Sequence, residues 1–279
     1  MQNKLYSILT IAESDSSAGA GIQADIKAAS ALGVHAATAI TAITSQSTST
    51  VSDIFVLPAD VVVSQIEAAI SDQLPGAIKI GMIGSIDNGK AIVKLLKGKL
   101  KGIPVVVDPV LDANSVGDNQ SELIDFYKKE LLPLATVYTP SIPEAGKLLG
   151  CELTVADFDQ QKAAAYRLMD EIHANAVILK GGHVDNPDFS TDILVYRDGD
   201  KLSQLSCSIE RQTDANLHGS GDVYSTLLAS CLAIKPSLSG AFIMAGRMMD
   251  SIIKRSIGYI YGTPGNGPLN VSNLKINQL

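Results

Sequence analysis

Residues 218–226, His-Gly-Ser-Gly-Asp-Val-Tyr-Ser-Thr, join a glycine-rich turn to a long apolar segment. Gly219, Ser220 and Gly221 precede Asp222 at the predicted start of a helix. The first N–H groups of a helix have no intrahelical acceptors, and the helix dipole adds partial positive charge there. We interpret the turn as an anion site and Asp222 as a candidate general base for a hydroxyl proton. A helix-capping aspartate after a structural turn would give a similar local sequence.

Outward from this turn, β-branched segments alternate with amphipathic ones, as is typical of an α/β fold. The predicted strands are Leu5–Ala12, His35–Thr44, Ala77–Met82, Val105–Val107, Thr136–Tyr138 and Ala176–Leu179. The predicted helices are Gly21–Leu32, Asn88–Lys97, Leu123–Leu132, one beginning at Glu144, Gln160–His173, and a helical region from Gly219 to about Ile257.

Only Thr191–Ile209 interrupts the predicted alternation, as an antiparallel hairpin with an Asp-Gly turn at 198–199. A Gly/Pro-rich tail follows at Gly262–Pro268. We expect one α/β domain over residues 1–279, with a mainly parallel central sheet covered by helices on both faces and a small antiparallel edge hairpin. Its ligand site should lie at the carboxyl ends of the strands.

Composition limits the partners of this chain. A net charge of -7 and a pI near 5.1 leave no basic stripe for a nucleic-acid backbone. Cys151, Cys207 and Cys231 have neither metal-ligand spacing nor a disulfide framework, which favours a reducing cytoplasm. The N-terminus has no export signal, and no apolar run is long enough to span a membrane. We therefore expect a cytoplasmic protein that binds neither nucleic acid nor membrane.

Several motifs of this chain resemble one kinase family. Residues 219–222 are similar to the G-x-G-D signature of the ribokinase superfamily, and SDSSAGAGIQADIK at 14–27 resembles the opening of hydroxymethylpyrimidine/phosphomethylpyrimidine kinases. Further matches follow in the family's order at Ile80–Met82, 108–110, 139–145, 180–183 and 265–268. The resemblance covers most of the chain and implies a ribokinase-like enzyme that uses ATP and Mg²⁺.

The implied reaction is phosphoryl transfer from ATP to the hydroxymethyl group of 4-amino-5-hydroxymethyl-2-methylpyrimidine, a precursor of thiamine. Phosphorylation of the resulting monophosphate is left open. By position in the family motifs, Asp25, Gln46 and Met82 would line the ring site, and Asp222 would be the base. The amide of Gln46 offers a donor and an acceptor, which suits the edge of an aminopyrimidine, and a methionine packs well on an aromatic face.

The resemblance also implies which residues hold the phosphates and the metal. Lys180, Gly182 and the turn at 219–221 would hold the phosphates of ATP. Asp108 and Glu144 are candidates for the magnesium environment, without direct ligation being assigned. Each residue has a plainer interpretation: Glu144 as a helix cap, Asp108 as a strand end, Gln46 as a surface-loop residue and Met82 as core.

Four positions depart from the family pattern. Glu13 and Ala18 stand where glycines are usual, Ser141 replaces an asparagine, and Asp222 replaces a cysteine that is common in the pyrimidine branch. Aspartate is the base in most of the wider superfamily, so Asp222 is compatible with catalysis. Glu13 adds bulk and charge at the end of the first strand and suggests recognition of an amino-bearing or cationic substrate.

Two alternatives stay open at this point. One is a pyridoxal, pyridoxine or pyridoxamine kinase, which needs the same anion site with a different ring pocket. The other is a protein that binds ATP or a vitamer without turnover. A dinucleotide-binding turn is rejected, because Ala24 occupies the third glycine position of G-x-G-x-x-G. The sequence also leaves a homodimer open.

Overall fold

A computed structural model describes residues 5–111, 119–212, 215–259, 261–262 and 266–272. The strands, in chain order, are β1 (Ser7–Asp15), β2 (His35–Gln46), β3 (Val51–Val56), β4 (Ala77–Ile80), β5 (Val105–Val107), β6 (Val137–Tyr138), β7 (Ala176–Leu179), β8 (Phe189–Asp198) and β9 (Lys201–Glu210). The helices are α1 (Gly21–Ala31), α2 (Ala59–Ile70), α3 (Ile86–Lys97), α4 (Gln120–Phe126), α5 (Ile142–Leu149), α6 (Phe158–Ile172), α7 (Ser220–Ile234) and α8 (Leu238–Arg255).

These strands form one sheet in the order β3-β2-β1-β4-β5-β6-β7-β8-β9. The strands from β2 to β7 are parallel, and antiparallel pairs lie at both edges, β3 on β2 and β8 with β9 beside β7. The predicted α/β fold and edge hairpin are confirmed. The antiparallel strand β3 was not predicted; it follows β2 after a short turn, and a connection that short permits only antiparallel pairing.

Helices cover both faces of the sheet, and each face has its own apolar core. One core contains residues of α2, α3, α5 and α6, including Ile66, Ile92 and Leu168. The other contains residues of α1, α7 and α8, including Leu227 and Phe242. Neighbouring residues of a buried strand alternate between the two cores because strand side chains have a period of two. A sheet covered on both faces leaves its strand ends as the place for a polar site.

Three helix predictions are corrected by the structure. The region from Gly219 to Ile257 is two helices, because α7 ends at Ile234 before Pro236 and α8 begins after its N-cap Ser237. Helix α2 was missed. The helix predicted at Leu123–Leu132 ends as α4 at Phe126 and continues as a π turn over Tyr127–Leu131 and a 3₁₀ turn over Leu132–Leu134. Part of the predicted tail, 263–265, lies outside the described residues. Among the residues described, no helix is long and apolar enough to cross a bilayer.

Candidate active site

The N-terminus of α7 contacts a second glycine-rich loop, which precedes α1. Gly219 has a left-handed backbone, with φ of 75°. A Cβ atom on Gly219 would collide with the carbonyl oxygen of Gly19, and one on Gly19 would collide with the imidazole of His218. Glycine at both positions therefore lets two backbones meet. The chain brings the start of α1 and the start of α7 together at one end of the sheet.

The loop before α1 is organised by one buried carboxylate. Asp15 accepts N–H groups from Ser17 at 2.7 Å, Gly19 at 2.9 Å and Ala20 at 2.8 Å. Burial raises the pKa of Asp15, but the His218 imidazole and these donors outweigh it and bring the pKa to about 2. Ala18 has a left-handed φ of 59°, which explains why the family favours glycine there.

Asp222 lies in the first turn of α7 and takes part in a buried ion cluster. Its Oδ1 is 2.7 Å from Nζ of Lys79, and its Oδ2 accepts the N–H of Gly21 at 3.1 Å. Burial raises the pKa of Asp222, but the charge and hydrogen bond of Lys79, the Gly21 N–H and the charge of Lys180 together outweigh it, so the pKa lies below its usual value. The carboxylate is therefore ionised at neutral pH and can accept a proton.

Lys79 and Asp25 form the inner part of this cluster. Lys79 is fully buried on β4, and its Nζ is also 3.0 Å from Asp25 Oδ2. Burial would lower the pKa of Lys79, but attraction to Asp222 and Asp25 raises it instead. Asp25 accepts hydroxyl hydrogen bonds from Thr10 and, at 2.7 Å, from Thr226. Burial raises the pKa of Asp25 to about 6, although Lys79 opposes the shift.

The expected contact of Asp25 with a ring substrate differs from its observed position. Asp25 has no exposed surface and, like Asp222, forms an ion pair with Lys79. Its family motif continues into α1, and this turn of α1 faces the sheet. Lys79 was not singled out from the sequence, since one lysine within the apolar strand Ala77–Ile80 gives no periodic signal. A buried lysine in such a strand is nevertheless rare and requires a carboxylate partner.

Two cavities flank the start of α7. The first, which we name the inner cavity, is about 390 Å³ and is lined by Glu13, Gln46, Met82, Asp108, Glu144, His218 and Asp222, among others. The second, the hairpin cavity, is about 400 Å³ and is lined by Gly182, Asp192, Cys207, Ile209, Tyr224 and Met249, among others. Lys180, Ser220 and Gly221 line both. The two cavities therefore meet at a lysine and a helix N-terminus.

Glu13 occupies the wall of the inner cavity in an unusual state. It lies in β1 at a break in the register with β2, where Ala12 pairs with Ile40 but Ser14 pairs with Ile43. Glu13 is 8% exposed, and in the described structure its Oε2 has no hydrogen-bond partner. Burial, together with repulsion from Asp222, raises the pKa of Glu13 to about 8. Glu13 is therefore mainly protonated at neutral pH.

Gln46 and Met82 also lie in the wall of the inner cavity. Gln46 Oε1 accepts the hydroxyl of Thr44 at 3.2 Å, and its Nε2 is 3.4 Å from Nε2 of His218. Met82 is almost completely buried, and its carbonyl accepts the hydroxyl of Thr41. His218 was not predicted as a site residue, although it directly precedes the glycine-rich turn.

Lys180, Asp108 and Glu144 lie close together where the cavities meet. Lys180 Nζ is 2.9 Å from Asp108 Oδ1. Ser141 caps α5, and Glu144 accepts the Ser141 N–H at 2.7 Å. Burial and the charge of Asp108 raise the pKa of Glu144, whereas Lys180 lowers it.

Asp108 and Glu144 fit a magnesium environment of the usual kind. The described residues contain no group of three or more acidic, histidine or cysteine side chains that would enclose a metal. Magnesium generally keeps several waters and uses one or two carboxylates together with substrate phosphates. Two carboxylates beside Lys180 match that requirement, while a complete protein cage is not needed.

A family model described as phosphomethylpyrimidine kinase matches residues 15–270. The chain belongs to the phosphomethylpyrimidine kinase family. It is 36% identical to a hydroxymethylpyrimidine/phosphomethylpyrimidine kinase of Mycobacterium tuberculosis over 94% of this chain and 92% of that protein. It is 35% identical to a bifunctional thiamine biosynthetic enzyme of Arabidopsis thaliana over 96% of this chain, but it spans only 50% of that enzyme.

Solved structures give the same fold for this phosphomethylpyrimidine kinase family member. A pyridoxal kinase from Staphylococcus aureus, in complex with AMP-PCP and pyridoxal, matches with a TM-score of 0.80 and 34% identity. The match covers 97% of this chain and 95% of the other. The predictions of a ribokinase-like fold and of an ATP-dependent small-molecule kinase are confirmed.

Proposed function

We propose that this protein transfers the γ-phosphoryl group of ATP to the hydroxymethyl group of 4-amino-5-hydroxymethyl-2-methylpyrimidine, and in a second reaction to the monophosphate. One observation carries the proposal: Lys180 and the N-terminus of α7 line both cavities, with Asp222 on the inner side. A nucleotide in the hairpin cavity and an alcohol in the inner cavity would meet there. The names of the relatives in this family supply the substrate.

The geometry supports direct transfer between the two ligands. The substrate hydroxyl loses its proton to Asp222, and its oxygen forms a bond to the γ-phosphorus. The bond between the γ-phosphorus and the bridging β-γ oxygen breaks, and ADP leaves. The N–H groups at Gly219–Gly221 and the ammonium of Lys180 stabilise the charge on the phosphoryl oxygens. Magnesium, when bound near Asp108 and Glu144, supplies further neutralisation of phosphate charge.

Ring recognition would depend on the wall of the inner cavity. Gln46 presents an amide, Met82 an apolar surface and Glu13 a protonated carboxyl group. The amide carries both a donor and an acceptor, which matches the ring nitrogen and amino group of an aminopyrimidine, whereas Glu13 adds bulk where the family's usual glycine would leave more room beside the ring. Gly182, with open space beside its Cα, would leave room for the nucleotide in the hairpin cavity.

The deciding experiment incubates the protein with Mg-ATP and, separately, hydroxymethylpyrimidine, its monophosphate and the three B6 vitamers. Products are identified by mass spectrometry, and kcat/KM is measured for each. We expect the mono- and diphosphate of the pyrimidine. Absence of any phosphorylated product, with ATP bound, would instead favour a protein that binds without turnover.

A vitamin B6 kinase is the second candidate, because a pyridoxal kinase is among the structures that match over nearly the whole chain. The substituent next to the reacting hydroxymethyl group differs, an amino group in the pyrimidine and a formyl group in pyridoxal. Glu13→Gly restores the family's usual residue and should shift the ratio of kcat/KM toward unmodified hydroxymethylpyrimidine. An unchanged ratio would remove Glu13 from the ring site.

Three broader expectations accompany this function. We propose that residues 1–279 form one domain, because every described strand belongs to one sheet. We also propose a cytoplasmic location, where ATP and reduced cysteines are available. A homodimer stays a prediction, which light scattering on the purified protein would check.

A further inference from the structure

The buried cluster beneath the inner cavity contains more charge than a fold requires. Lys79 is fully buried between Asp222 and Asp25, at 2.7 Å and 3.0 Å. Replacing a buried ion pair by apolar residues of similar volume is often neutral or stabilising, so stability alone gives little reason to keep it. The cluster connects to the exterior only through Asp222, whose side chain is 12% exposed, while Asp25 and Lys79 are sealed.

The contacts of the cluster hold both carboxylate oxygens of Asp222. Lys79 on β4 donates to Oδ1, and Gly21 at the start of α1 donates to Oδ2. Asp25 on α1 holds the other side of the Lys79 ammonium. Thr226, one turn after Asp222 on the same helix, donates to Asp25. The linked contacts run from Asp222 through Lys79 and Asp25 to Thr226. Because Asp222 and Thr226 both lie on α7, these contacts fix the first turn of that helix.

We propose that Lys79 and Asp25 are positioning residues for Asp222: the ammonium of Lys79 keeps the Asp222 carboxylate ionised and aimed into the inner cavity, and Asp25 keeps Lys79 in place. The inference rests on the proposed function, since it assigns the ion cluster to the base of that reaction. Neither residue touches the substrate. Their effect reaches the hydroxyl only through Asp222.

The protonation state of Asp222 depends on the charged and titratable groups around it. Lys79 faces it from β4, Glu13 from β1, Asp25 from α1 through its ion pair with Lys79, and Lys180 from the end of β7, while Asp108, Glu144 and His218 line the same cavity. Of these, Lys79 lowers the pKa of Asp222 most, and Lys180 lowers it less. Glu13, which carries a proton at neutral pH, adds little negative charge there. After Lys79 is removed, Asp25 remains near Asp222. Of the two cations named above only Lys180 is left, and it lowers the pKa of Asp222 less than Lys79 does.

The test compares the pH profile of kcat in wild type, Lys79→Met and Lys79→Met/Asp25→Asn. In Lys79→Met the acid limb should move to higher pH, and kcat one pH unit below the new midpoint should be about tenfold below its plateau, because the ionised fraction of Asp222 falls about tenfold there. The double variant removes a neighbouring negative charge, so its limb should lie between those of the single variant and wild type. The ATP constant should stay within about twofold. Lys97→Met, at an exposed ion pair, controls for the substitution.

A purely structural cluster would lower the melting temperature of both variants and leave the acid limb at the wild-type pH, and that result would overturn the proposal. So would a double variant whose limb lies at or above that of the single variant. If Lys79→Met does not fold, the double variant, which removes one positive and one negative charge, is compared with wild type instead. Carboxyl ¹³C NMR, with Asp222 assigned through Asp222→Asn, measures the same titration without turnover. A failure of the proposed kinase activity would leave that measurement intact.

Discussion

The two cavities beside α7 are alike in size, about 390 and 400 Å³, but they differ in chemistry. The wall of the inner cavity includes Glu13 and Asp222, which connect to a buried cluster of ions. The lining of the hairpin cavity includes Ile209, Met249 and Ile253, and its half-buried Asp192 accepts the backbone N–H of Gly181 at 2.8 Å. Two departures from the family, at 13 and 222, lie on the inner side and place carboxyl groups in its wall. The inner cavity therefore differs from the family in its ionisable side chains. Ser141, which lines the hairpin cavity, caps a helix.

The largest expected effect comes from removing the base. Asp222→Asn should keep the fold and ATP binding but lower kcat about a hundredfold to ten-thousandfold, because an amide cannot accept the hydroxyl proton. Asp125→Asn removes an exposed carboxylate from α4, outside the linings of both cavities, and is the control, with kcat expected within a few-fold of wild type. Steady-state kinetics and ATP titration calorimetry measure both. Near-normal turnover in Asp222→Asn would remove Asp222 from the mechanism.

Lys180→Ala removes a side chain that lines both cavities. Loss of a phosphate-facing cation in a partly dry site should cost on the order of a few kcal/mol, seen as a higher ATP constant and a lower kcat. Lys97→Ala, an exposed lysine, should change neither value. Unchanged ATP affinity and turnover in Lys180→Ala would make Lys180 a partner of Asp108 only.

Glu13 should make stability depend on pH. The pKa of Glu13 is raised from about 4.5 to about 8, so the folded protein holds a proton that the unfolded chain has released between these values. The free energy of unfolding should fall as pH rises through this window, by on the order of 1 kcal/mol per pH unit, and should be fully restored below it. Glu13→Gln should flatten the slope. Urea unfolding at pH 5.5, 7 and 8.5 gives the comparison, and equal slopes would contradict a protonated Glu13.

Gln46→Ala distinguishes the two cavities by ligand. Because Gln46 lines only the inner cavity, its loss should raise the apparent constant for the alcohol substrate about tenfold and leave the ATP constant unchanged. Gln65→Ala is the control, since Gln65 bonds the backbone of Ile40 away from the cavities. Equal changes in both constants would indicate that Gln46 supports the fold and not the ring.

The smallest expected effect is in the loop before α1. Ala18→Gly relieves a left-handed φ of 59° and should stabilise the protein by about 0.5 to 1 kcal/mol, after the greater freedom of glycine in the unfolded chain is subtracted. Thermal unfolding should show a melting temperature about 2 °C higher. A lower melting temperature would mean that the methyl group contributes packing that offsets the strain.

The sequence predicted the parallel sheet and the glycine-rich turn because both leave local signals. Apolar β-branched runs mark buried strands, and paired glycines before a helix mark its N-terminus. It did not predict β3, since Val51–Val56 has mostly exposed side chains at the sheet edge and lacks a buried-strand pattern.

The ion cluster could not be predicted from local sequence signals. Asp25 and Lys79 are 54 positions apart, and Lys79 and Asp222 are 143 apart, so no spacing in the sequence connects them. The ring-site expectation for Asp25 came from its neighbours in a motif and not from the direction of its side chain. A lysine within an apolar strand is the one signal that would have pointed to a buried carboxylate partner.

The meeting of the two glycine-rich loops also determines when the site can exist during folding. Gly21 bonds Asp222, and Thr226 bonds Asp25, each across 201 positions of the chain. Contacts of such separation close large loops and form slowly. During synthesis, β1, α1 and β4 emerge long before α7, so Lys79 and Asp25 must wait for Asp222 and Thr226. A chain that ends before α7 would therefore lack both the base and the element that completes its charged interior.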